Sequence, residues 1–512
     1  MKSRFAKLCG LFLLPALLLT GCWQADPVDE NTGIVTSSSS SDSSAAESVA
    51  LPEALSLPYY PSQTLDPVTC ADGIQQTIAA LLYEGLFELD ETFAPQNLLC
   101  ASSTYDAATL TWTFTLRSGV LFSDGTALTA GDVAATLNRA RSSPRYQSRL
   151  SGIASVSAAG SGTVTVVLTA TNTQLPALLD IPIVKSGTEN SLVPIGTGPY
   201  TLSDSGGTTA LQSNPGWWKG HSQPIAHIAL VAEDSRDTML YQFSSHEIQL
   251  ITADLTGTDP VSAVGSVSFY DADTTILQYV GFNTSGVFAD VALRSALNLG
   301  VNRAGIVSAF LAGHAAAAQF PLAPTSALYP SDLADTYSYE SFEKAISAAG
   351  YDTGESHSAT MIVNQENSFK VACARQIAEE LSAFDLKITV EPLPWADYTA
   401  ALANGKYDLY YGEVKLSADW NLTPLLATGG ALNYGRYSDA TLDLLLQEYS
   451  AASDRTSAMH GICSYLKKQA PILPICFKRV SVLTQSGVID NLTPTAVNPF
   501  YDLGGCSIHL AK

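Results

Sequence analysis

The chain has 512 residues and a formal net charge of −22 at pH 7, because 26 Lys and Arg stand against 48 Asp and Glu. This length, with 46% hydrophobic residues, can bury a large core and indicates about two to four domains. The acidic balance argues against a protein that binds nucleic acid or anionic lipid through a basic patch, because its field repels phosphates.

The N-terminus predicts export. A basic stretch within the first seven positions is followed by an apolar run over residues 8–19, which is short for a membrane span, and then by Leu19-Thr20-Gly21-Cys22. The last four residues resemble the bacterial lipobox, in which the Cys becomes the lipidated first residue of the mature chain. We therefore expect a lipoprotein signal peptide over residues 1–21 and lipidation of Cys22.

The segment after Cys22 predicts a flexible, Ser-rich tether over residues 22–54, because it has too little apolar surface to offset the entropy of ordering. Removal of residues 1–21 takes away three positive charges and moves the net charge from −22 to −25. We expect an acidic extracytoplasmic body that is held to the bacterial cell membrane by its lipid alone.

Strict alternation over residues 109–117 predicts a half-buried strand with Trp112 and Phe114 on its apolar face. A turn at Ser118-Gly119 and the apolar run over residues 120–122 predict that this strand continues into a hairpin. The sequence from Thr129 to Asp132 then resembles a capping box and predicts a helix over residues 132–141.

A βαβαβ unit is predicted between residues 359 and 414. Such a unit builds a parallel sheet, and ligands bind beyond the carboxyl ends of its strands. Hydrophobic periodicity and a stop at Asn404-Gly405 predict its parts, which are strands over 359–363, 386–390 and 407–411 and helices over 369–384 and 396–403.

The sequence lacks the common catalytic and metal-binding motifs. It contains no GxSxG, no Walker GxxxxGK[ST], no second His at zincin spacing and no CxxC pair, so we predict a protein without enzymatic activity, resident metal or cofactor. Six cysteines lie beyond Cys22, and the exported setting permits disulfides whose pairing the sequence leaves open.

Several segments, taken in order over residues 55–512, resemble the extracytoplasmic solute-binding proteins of ABC importers, specifically the oligopeptide, dipeptide and nickel-binding group (family 5). Each segment alone is a weak signal, but their shared order is specific. The markers are Thr64-Leu65-Asp66-Pro67, Leu82-Tyr83-Glu84-Gly85-Leu86, Asp124-Gly125-Thr126, Thr129-Ala130-Gly131-Asp132-Val133, Gly196-Thr197-Gly198-Pro199-Tyr200, Asn214-Pro215-Gly216-Trp217-Trp218-Lys219-Gly220, Phe282-Asn283-Thr284, Ala418-Asp419 and Gln469-Ala470-Pro471.

The resemblance implies an α/β, two-lobed periplasmic-binding-protein-like fold of type II with an extra inserted domain. Its first lobe would be discontinuous, with an insertion inside it, and a second lobe would hold the βαβαβ unit. The implied boundaries are 55–80, 186–270 and 481–512 for the first lobe, 81–185 for the inserted domain and 271–480 for the second lobe.

In peptide-binding members of the group, an aspartate of the second lobe pairs with the α-ammonium group of the ligand, and the matching residue here is Asp419. A structural role for Asp419 as a helix cap beside Trp420 is the alternative. Peptide-binding relatives commonly carry a Trp three positions earlier, where this chain has Leu416, so the resemblance leaves the shape of the pocket and the ligand class open. The expected substrate-binding residues are Asp419, Trp420, Leu416, Asn433, Tyr411 and Gln63.

The resemblance implies a function in which a monomer captures short peptides outside the cell and delivers them to the transmembrane subunits of an ABC permease. Two alternatives stay open. The protein could be a surface receptor that senses peptides, or the same fold could bind another solute such as a nickel chelate, haem or an oligosaccharide.

Overall fold

The computed structural model describes residues 51–220, 223–262 and 265–511. The predicted signal peptide, Cys22 and all of the predicted tether except residues 51–54 lie outside these ranges. Within them, no helix combines the length and the apolar character that a membrane crossing requires.

Strands predominate over α-helices in the first half of the described body. In chain order they are β1 (Ser56–Tyr59), α1 (Gly73–Leu82), β2 (Phe87–Leu89), β3 (Pro95–Asn97), β4 (Cys100–Asp106), β5 (Thr111–Leu116), α2 (Ala130–Arg141), β6 (Ile153–Ala158), β7 (Thr163–Leu168), β8 (Tyr200–Ser205), β9 (Thr208–Ser213), β10 (His227–Ala232), α3 (Arg236–Ser244) and β11 (Leu250–Ala253).

The second half contains most of the helices. Its elements are β12 (Val267–Phe282), α4 (Val291–Leu299), α5 (Arg303–Phe310), β13 (Ala315–Ala317), α6 (Tyr339–Ala348), β14 (His357–Asn364), α7 (Ser368–Leu381), β15 (Leu386–Leu393), α8 (Trp395–Asn404), β16 (Leu409–Lys415), α9 (Thr423–Leu426), α10 (Ala440–Ala451), α11 (Arg455–Gln469), β17 (Ile472–Gln485), β18 (Ile489–Asp490) and β19 (Ser507–Ile508).

Three larger sheets organise the described part of the chain, which also has two two-stranded sheets, β2-β3 and β18-β19. Sheet A has the order β1-β10-β9-β8, and β1 runs parallel to β10. Sheet B has the order β4-β5-β7-β6 and is antiparallel throughout. Sheet C has seven strands, with the order β11-β17-β12-β16-β14-β15 and β13 beside β17. All strands of sheet B fall within residues 81–185, which we call the inserted segment.

The βαβαβ unit is confirmed. Strand β14 pairs in parallel with both β15 and β16, and α7 and α8 connect the three strands as predicted. Gly405 ends α8 in the left-handed conformation, with φ of 66°. The unit places the carboxyl end of β16, at Lys415, on the edge of the sheet where the predicted crevice should lie.

The predicted strand and capped helix of the inserted segment are confirmed, but the predicted hairpin is wrong. Thr129 and Asp132 form a reciprocal capping box at the start of α2. The run over residues 120–122 forms no strand; β5 pairs instead with β4 and β7. Val120 and Phe122 reach the core from a loop that closes through Gly125, which has φ of 82°. The run makes only an isolated antiparallel bridge, from Leu121 to Ala127, and does not pair with β5.

Two long strands connect the parts of the body. Strand β12 pairs with β17 from Val267 opposite Gln485 to Gly281 opposite Ile472. The register is irregular between Asp273 and Leu277 and again between Gln278 and Tyr279. One end of this ribbon pairs with β11, and the other end pairs with β16 and β13. The predicted lobe boundaries at 270/271 and 480/481 fall inside these continuous strands, so the division into lobes stays a prediction.

Three of the quoted sequence markers meet at one buried carboxylate. Glu84 is 6% exposed and accepts hydrogen bonds from Thr197 at 2.9 Å, Trp217 Nε1 at 3.1 Å and Trp218 Nε1 at 2.7 Å. Burial raises the pKa of Glu84, and these donors act in the opposite direction. The two tryptophans therefore join the start of the inserted segment to the chain beyond it.

Glu233 is a second buried carboxylate, and it lies just past the end of β10. Its residue is 5% exposed, and neither side-chain oxygen accepts a hydrogen bond from the described residues. Burial raises its pKa to about 7, and the charges of Asp234 and Glu247 act in the same direction. The native carboxyl therefore keeps its proton at a pH at which an unfolded Glu, with a pKa of about 4.3, has lost it.

We predict that Glu233→Gln stabilises the protein at about pH 8 and changes little at about pH 5. A raised acid pKa means that native stability falls as pH rises from about 4.3 to about 7, and a neutral amide removes that loss. Calorimetric melting at both pH values measures the effect, with Glu355→Gln at an exposed loop position as the control. Equal gains at both pH values would contradict the prediction.

Candidate functional site

A cavity of about 1390 Å³ lies between the inserted segment, the β12–β17 ribbon and the carboxyl end of β16. Residues 415–418 line it directly after β16, and residues 271–276 line it from the irregular part of β12. The cavity thus lies beyond the carboxyl end of β16, where the sequence predicts the ligand crevice. The volume exceeds the usual 300–1,000 Å³ of small-molecule pockets, so several linked residues of a solute can enter.

Six basic and nine acidic residues line this cavity, and three of the basic ones form a cluster from distant parts of the chain. Arg145 and Arg149 belong to the inserted segment, and Lys415 is the last residue of β16. Arg149 forms an ion pair with Asp180, whereas Arg145 donates to the carbonyl of Cys70 and to Gln76. No carboxylate among the described residues pairs with Lys415. The cluster therefore has more positive than negative charge and suits an anionic group.

The cations perturb one another. Partial desolvation inside the cavity lowers the pKa of Lys415, although the residue is solvent-exposed, and the neighbouring charges of Arg149 and Arg145 lower it further. Burial likewise lowers the pKa of Arg149 to about 10. Arg149 therefore stays protonated at neutral pH, and the cavity wall carries an electrostatic cost that a bound anion can relieve.

Asp419 lies close to this cluster, where its charge raises the pKa of Arg149 against the effect of burial. It is 4% exposed, and Ser417, Ala418 and Asn421 beside it line the cavity. Its Oδ1 accepts from the Ser417 hydroxyl and from the Asn421 amide at 3.2 Å, and its Oδ2 accepts from Asn172 Nδ2 at 3.1 Å. The carboxylate thus adjoins the cavity behind a layer of protein contacts.

Among the other expected site residues, Leu416 lines the cavity, where a larger Trp would reduce the space. Trp420 is 2% exposed and packs edge-on against Phe93 and Phe477, with ring centroids 5.4 and 6.0 Å apart. Its backbone has φ of 55°, which turns the chain into the core. Trp420 therefore supports the cavity wall from behind.

The remaining three expected residues lie away from the large cavity. Tyr411 is 1% exposed and donates to Gln278 at 2.7 Å within the core of sheet C. Asn433 closes a loop by donating to the carbonyls of Ala427 and Tyr437 at 2.9 and 2.8 Å. Gln63 lines a separate, smaller cavity of about 500 Å³. In this conformation, these residues are not brought together with Leu416.

Sequence reasoning missed the three cations. The sequence could have indicated Lys415, because this residue immediately precedes Leu416 after the predicted third strand. Arg145 and Arg149 follow α2 with no recognisable motif, and only the folded chain brings them opposite Lys415. Among the described residues, no group of three or more His, Cys, Asp and Glu side chains is placed to hold a metal ion. The six cysteines are buried free thiols.

The family model "Bacterial extracellular solute-binding proteins, family 5 Middle" matches residues 94–431. The chain belongs to family 5 of the bacterial extracellular solute-binding proteins. The glutathione-binding protein GsiB of Escherichia coli strain K12 is 25% identical to this family 5 protein over 453 residues, which cover 81% of this chain and 87% of GsiB.

Solved structures share the fold. The substrate-binding protein CtaP of Listeria monocytogenes has a TM-score of 0.70 at 19% identity, covering 90% of this chain and 99% of CtaP. The oligopeptide-binding protein AppA of Bacillus subtilis was solved in complex with a nonapeptide. Its TM-score is 0.60 at 19% identity, and the match covers 90% of this chain and 100% of AppA. The predicted α/β, type II binding-protein fold is thereby confirmed.

Family membership establishes the broad function. This family 5 protein is an extracytoplasmic solute-binding protein of an ABC importer for peptides or related solutes. Family 5 members are binding proteins without enzymatic activity.

We predict that Lys415→Met raises the melting temperature of the empty family 5 protein at pH 7. The substitution keeps an unbranched side chain and removes the charge that Arg145 and Arg149 repel. The gain should shrink in about 1 M salt, where the Debye length is about 3 Å. Differential scanning calorimetry measures both effects, and Lys387→Met, exposed on β15, is the control. A lower melting temperature for Lys415→Met would contradict this account.

Proposed function

We propose that this protein captures short peptides outside the cytoplasm and delivers them to the transmembrane subunits of an ABC permease. The observation that carries the proposal is the cavity, where the Arg145, Arg149 and Lys415 cations adjoin the Asp419 carboxylate. A peptide carries an ammonium and a carboxylate, and this charge pattern offers a partner to each. The cavity volume of about 1390 Å³ is consistent with a chain of a few residues.

The tripeptide glutathione is a specific candidate within this class. It carries one ammonium and two carboxylates, and the cluster of Arg145, Arg149 and Lys415 offers cationic partners to both carboxylates. The name of the relative GsiB supports the same choice. Calorimetric titration with glutathione and with trialanine distinguishes an anionic tripeptide from a neutral zwitterionic one.

In this proposal, Asp419 binds the ligand ammonium group, and Leu416 forms part of the pocket wall. Trp420 keeps the wall in place, while Asn433, Tyr411 and Gln63 would reach ligand only in a different conformation. If peptide binds but never reaches a permease, the protein is a peptide-sensing receptor. If no peptide binds, the site takes another solute such as a nickel chelate, haem or an oligosaccharide. Uptake of labelled peptide by cells with and without the protein tests delivery.

We predict that Asp419→Asn weakens binding of trialanine by about 2–5 kcal/mol, because it removes one partner of a buried charge pair. N-acetyl-trialanine lacks the cation, so it should bind the wild type poorly and discriminate little between the two proteins. Titration of both peptides against both proteins gives the coupling energy. Asp397→Asn, at an exposed position of α8, controls for loss of charge. A coupling energy near zero would leave Asp419 with a structural role.

We also propose that the mature protein begins at a lipidated Cys22 and functions as a monomer on its tether. The lipobox-like Leu19-Thr20-Gly21-Cys22 after an apolar run supports this. A single acyl chain binds membranes only marginally, so stable anchoring needs the two chains of a diacylglyceryl group.

We predict that Cys22→Ala releases the protein from the membrane fraction into the medium or the periplasm. Fractionation followed by immunoblotting measures the distribution, and Cys70→Ala, a buried cysteine of the body, is the control for loss of a thiol. Retention of Cys22→Ala in the membrane fraction at the wild-type level would show that another feature anchors the chain.

A further inference from the structure

Asn172 of the inserted segment donates its side-chain amide to Asp419 Oδ2, at 3.1 Å, across 247 positions of the sequence. The other carboxylate oxygen is already occupied by Ser417 and by the backbone of Asn421. Asn172 therefore takes the one carboxylate oxygen that local partners leave open. With this bond in place, Asp419 is 4% exposed and does not line the cavity.

The orientation of Asn172 is set by its neighbours. Its Oδ1 accepts from the Gln174 backbone amide at 2.8 Å, and its carbonyl accepts from Trp112 Nε1 at 3.0 Å. Because the side-chain oxygen must face the Gln174 amide, the NH₂ group faces Asp419. The Asn172 side chain is thus a neutral donor to the Asp419 carboxylate. It lies on a short loop that contacts sheet B through Trp112.

The same loop rests on the chain around Asp419. The Thr173 amide donates to the Ser450 carbonyl at 3.1 Å, and Tyr449 and Arg455 donate to the Asp419 carbonyl at 2.9 and 3.0 Å. Thr173 thus joins the inserted segment to α10, and Asn172 joins it to the loop after β16. We call Asn172 and Thr173 the clasp, because they cover the Asp419 carboxylate.

We propose that Asn172 is a built-in competitor for the ligand ammonium group at Asp419. The inference rests on the proposed function, in which that carboxylate anchors the ligand. A buried carboxylate without a partner is costly, and the Asn172 amide removes that cost in the empty protein. A ligand ammonium makes a stronger, charge-assisted bond and displaces the neutral amide. Asn172 thereby lowers affinity for every solute that uses Asp419 and excludes weak neutral donors.

The test compares Asn172→Ala with the wild type by calorimetric titration of trialanine and N-acetyl-trialanine. Removing a neutral hydrogen bond that the ligand must break should tighten trialanine binding by about threefold to tenfold. Binding of N-acetyl-trialanine should not change. Asn172→Ser is a second variant: its hydroxyl can still accept from the Gln174 amide, but its side chain is too short to reach Asp419.

Thr173→Val is the matched control, because the Thr173 hydroxyl contacts the carbonyls of Ser450 and Ala452 at 3.4 and 3.3 Å and does not contact Asp419. It loosens the same clasp and should leave the preference for a free ammonium unchanged. Unchanged or weaker trialanine binding in folded Asn172→Ala and Asn172→Ser would overturn the inference. An equal gain in trialanine affinity for Thr173→Val would also overturn the inference. The cause would then be general loosening of the clasp and not loss of the bond from Asn172 to Asp419.

Failure of the proposed function gives a different pattern. If trialanine binds well and Asp419→Asn binds it equally well, the ammonium anchor is absent, and the competitor inference fails with it. If the wild type binds neither peptide, the peptide function itself fails. If Asp419→Asn abolishes the preference for a free ammonium while Asn172→Ala does not tighten binding, the anchor stands and only the role of Asn172 is wrong.

Discussion

The antiparallel pairing of β12 with β17 is the constraint on which the rest of the described structure depends. Its two strands are 16 and 14 residues long, and different partners pair with its two ends. Where the register shifts between Asp273 and Leu277, the strands cannot continue a regular ladder. That irregular stretch forms one wall of the cavity, so the ribbon both joins the parts of the body and shapes the space between them.

Positive charge is concentrated in one part of a cavity that nine acidic and six basic residues line. A chain with 48 acidic and 26 basic residues brings Arg145, Arg149 and Lys415 to one cavity. Mutual repulsion makes this cluster costly in the empty protein, and perturbed charges of this kind are characteristic of sites that bind charged ligands. The buried Lys478 behaves differently, because Asp254 and Glu413 neutralise it at the β12–β17 ribbon. Lys478 and Asp254 line the same cavity, so the two groups differ in their pairing and not in their location.

The sequence markers and the cavity serve different purposes. Glu84, Thr197 and the two tryptophans satisfy one another around a buried carboxylate, and a Cβ at Gly198 would lie 2.5 Å from the backbone of Leu82. These residues are distinctive because close packing tolerates few alternatives there. Side chains that face a solute are under no such packing constraint, and relatives with different solutes can vary them. Markers therefore identify the family more readily than they identify its ligand.

The amino-acid sequence by itself determined the α/β class, the βαβαβ unit, the capped helix α2 and the family, because these depend on periodicity and capping within about 60 neighbouring residues or on ordered short motifs. It predicted a crevice beyond β16, and Leu416 lies there. Only the tertiary structure decided that Trp420 and Tyr411 are core residues, that Gln63 lies at another cavity, and that Arg145, Arg149 and Asn172 meet Lys415 and Asp419. Those contacts join segments hundreds of residues apart, and their geometry depends on how whole sheets pack, which no local pattern records.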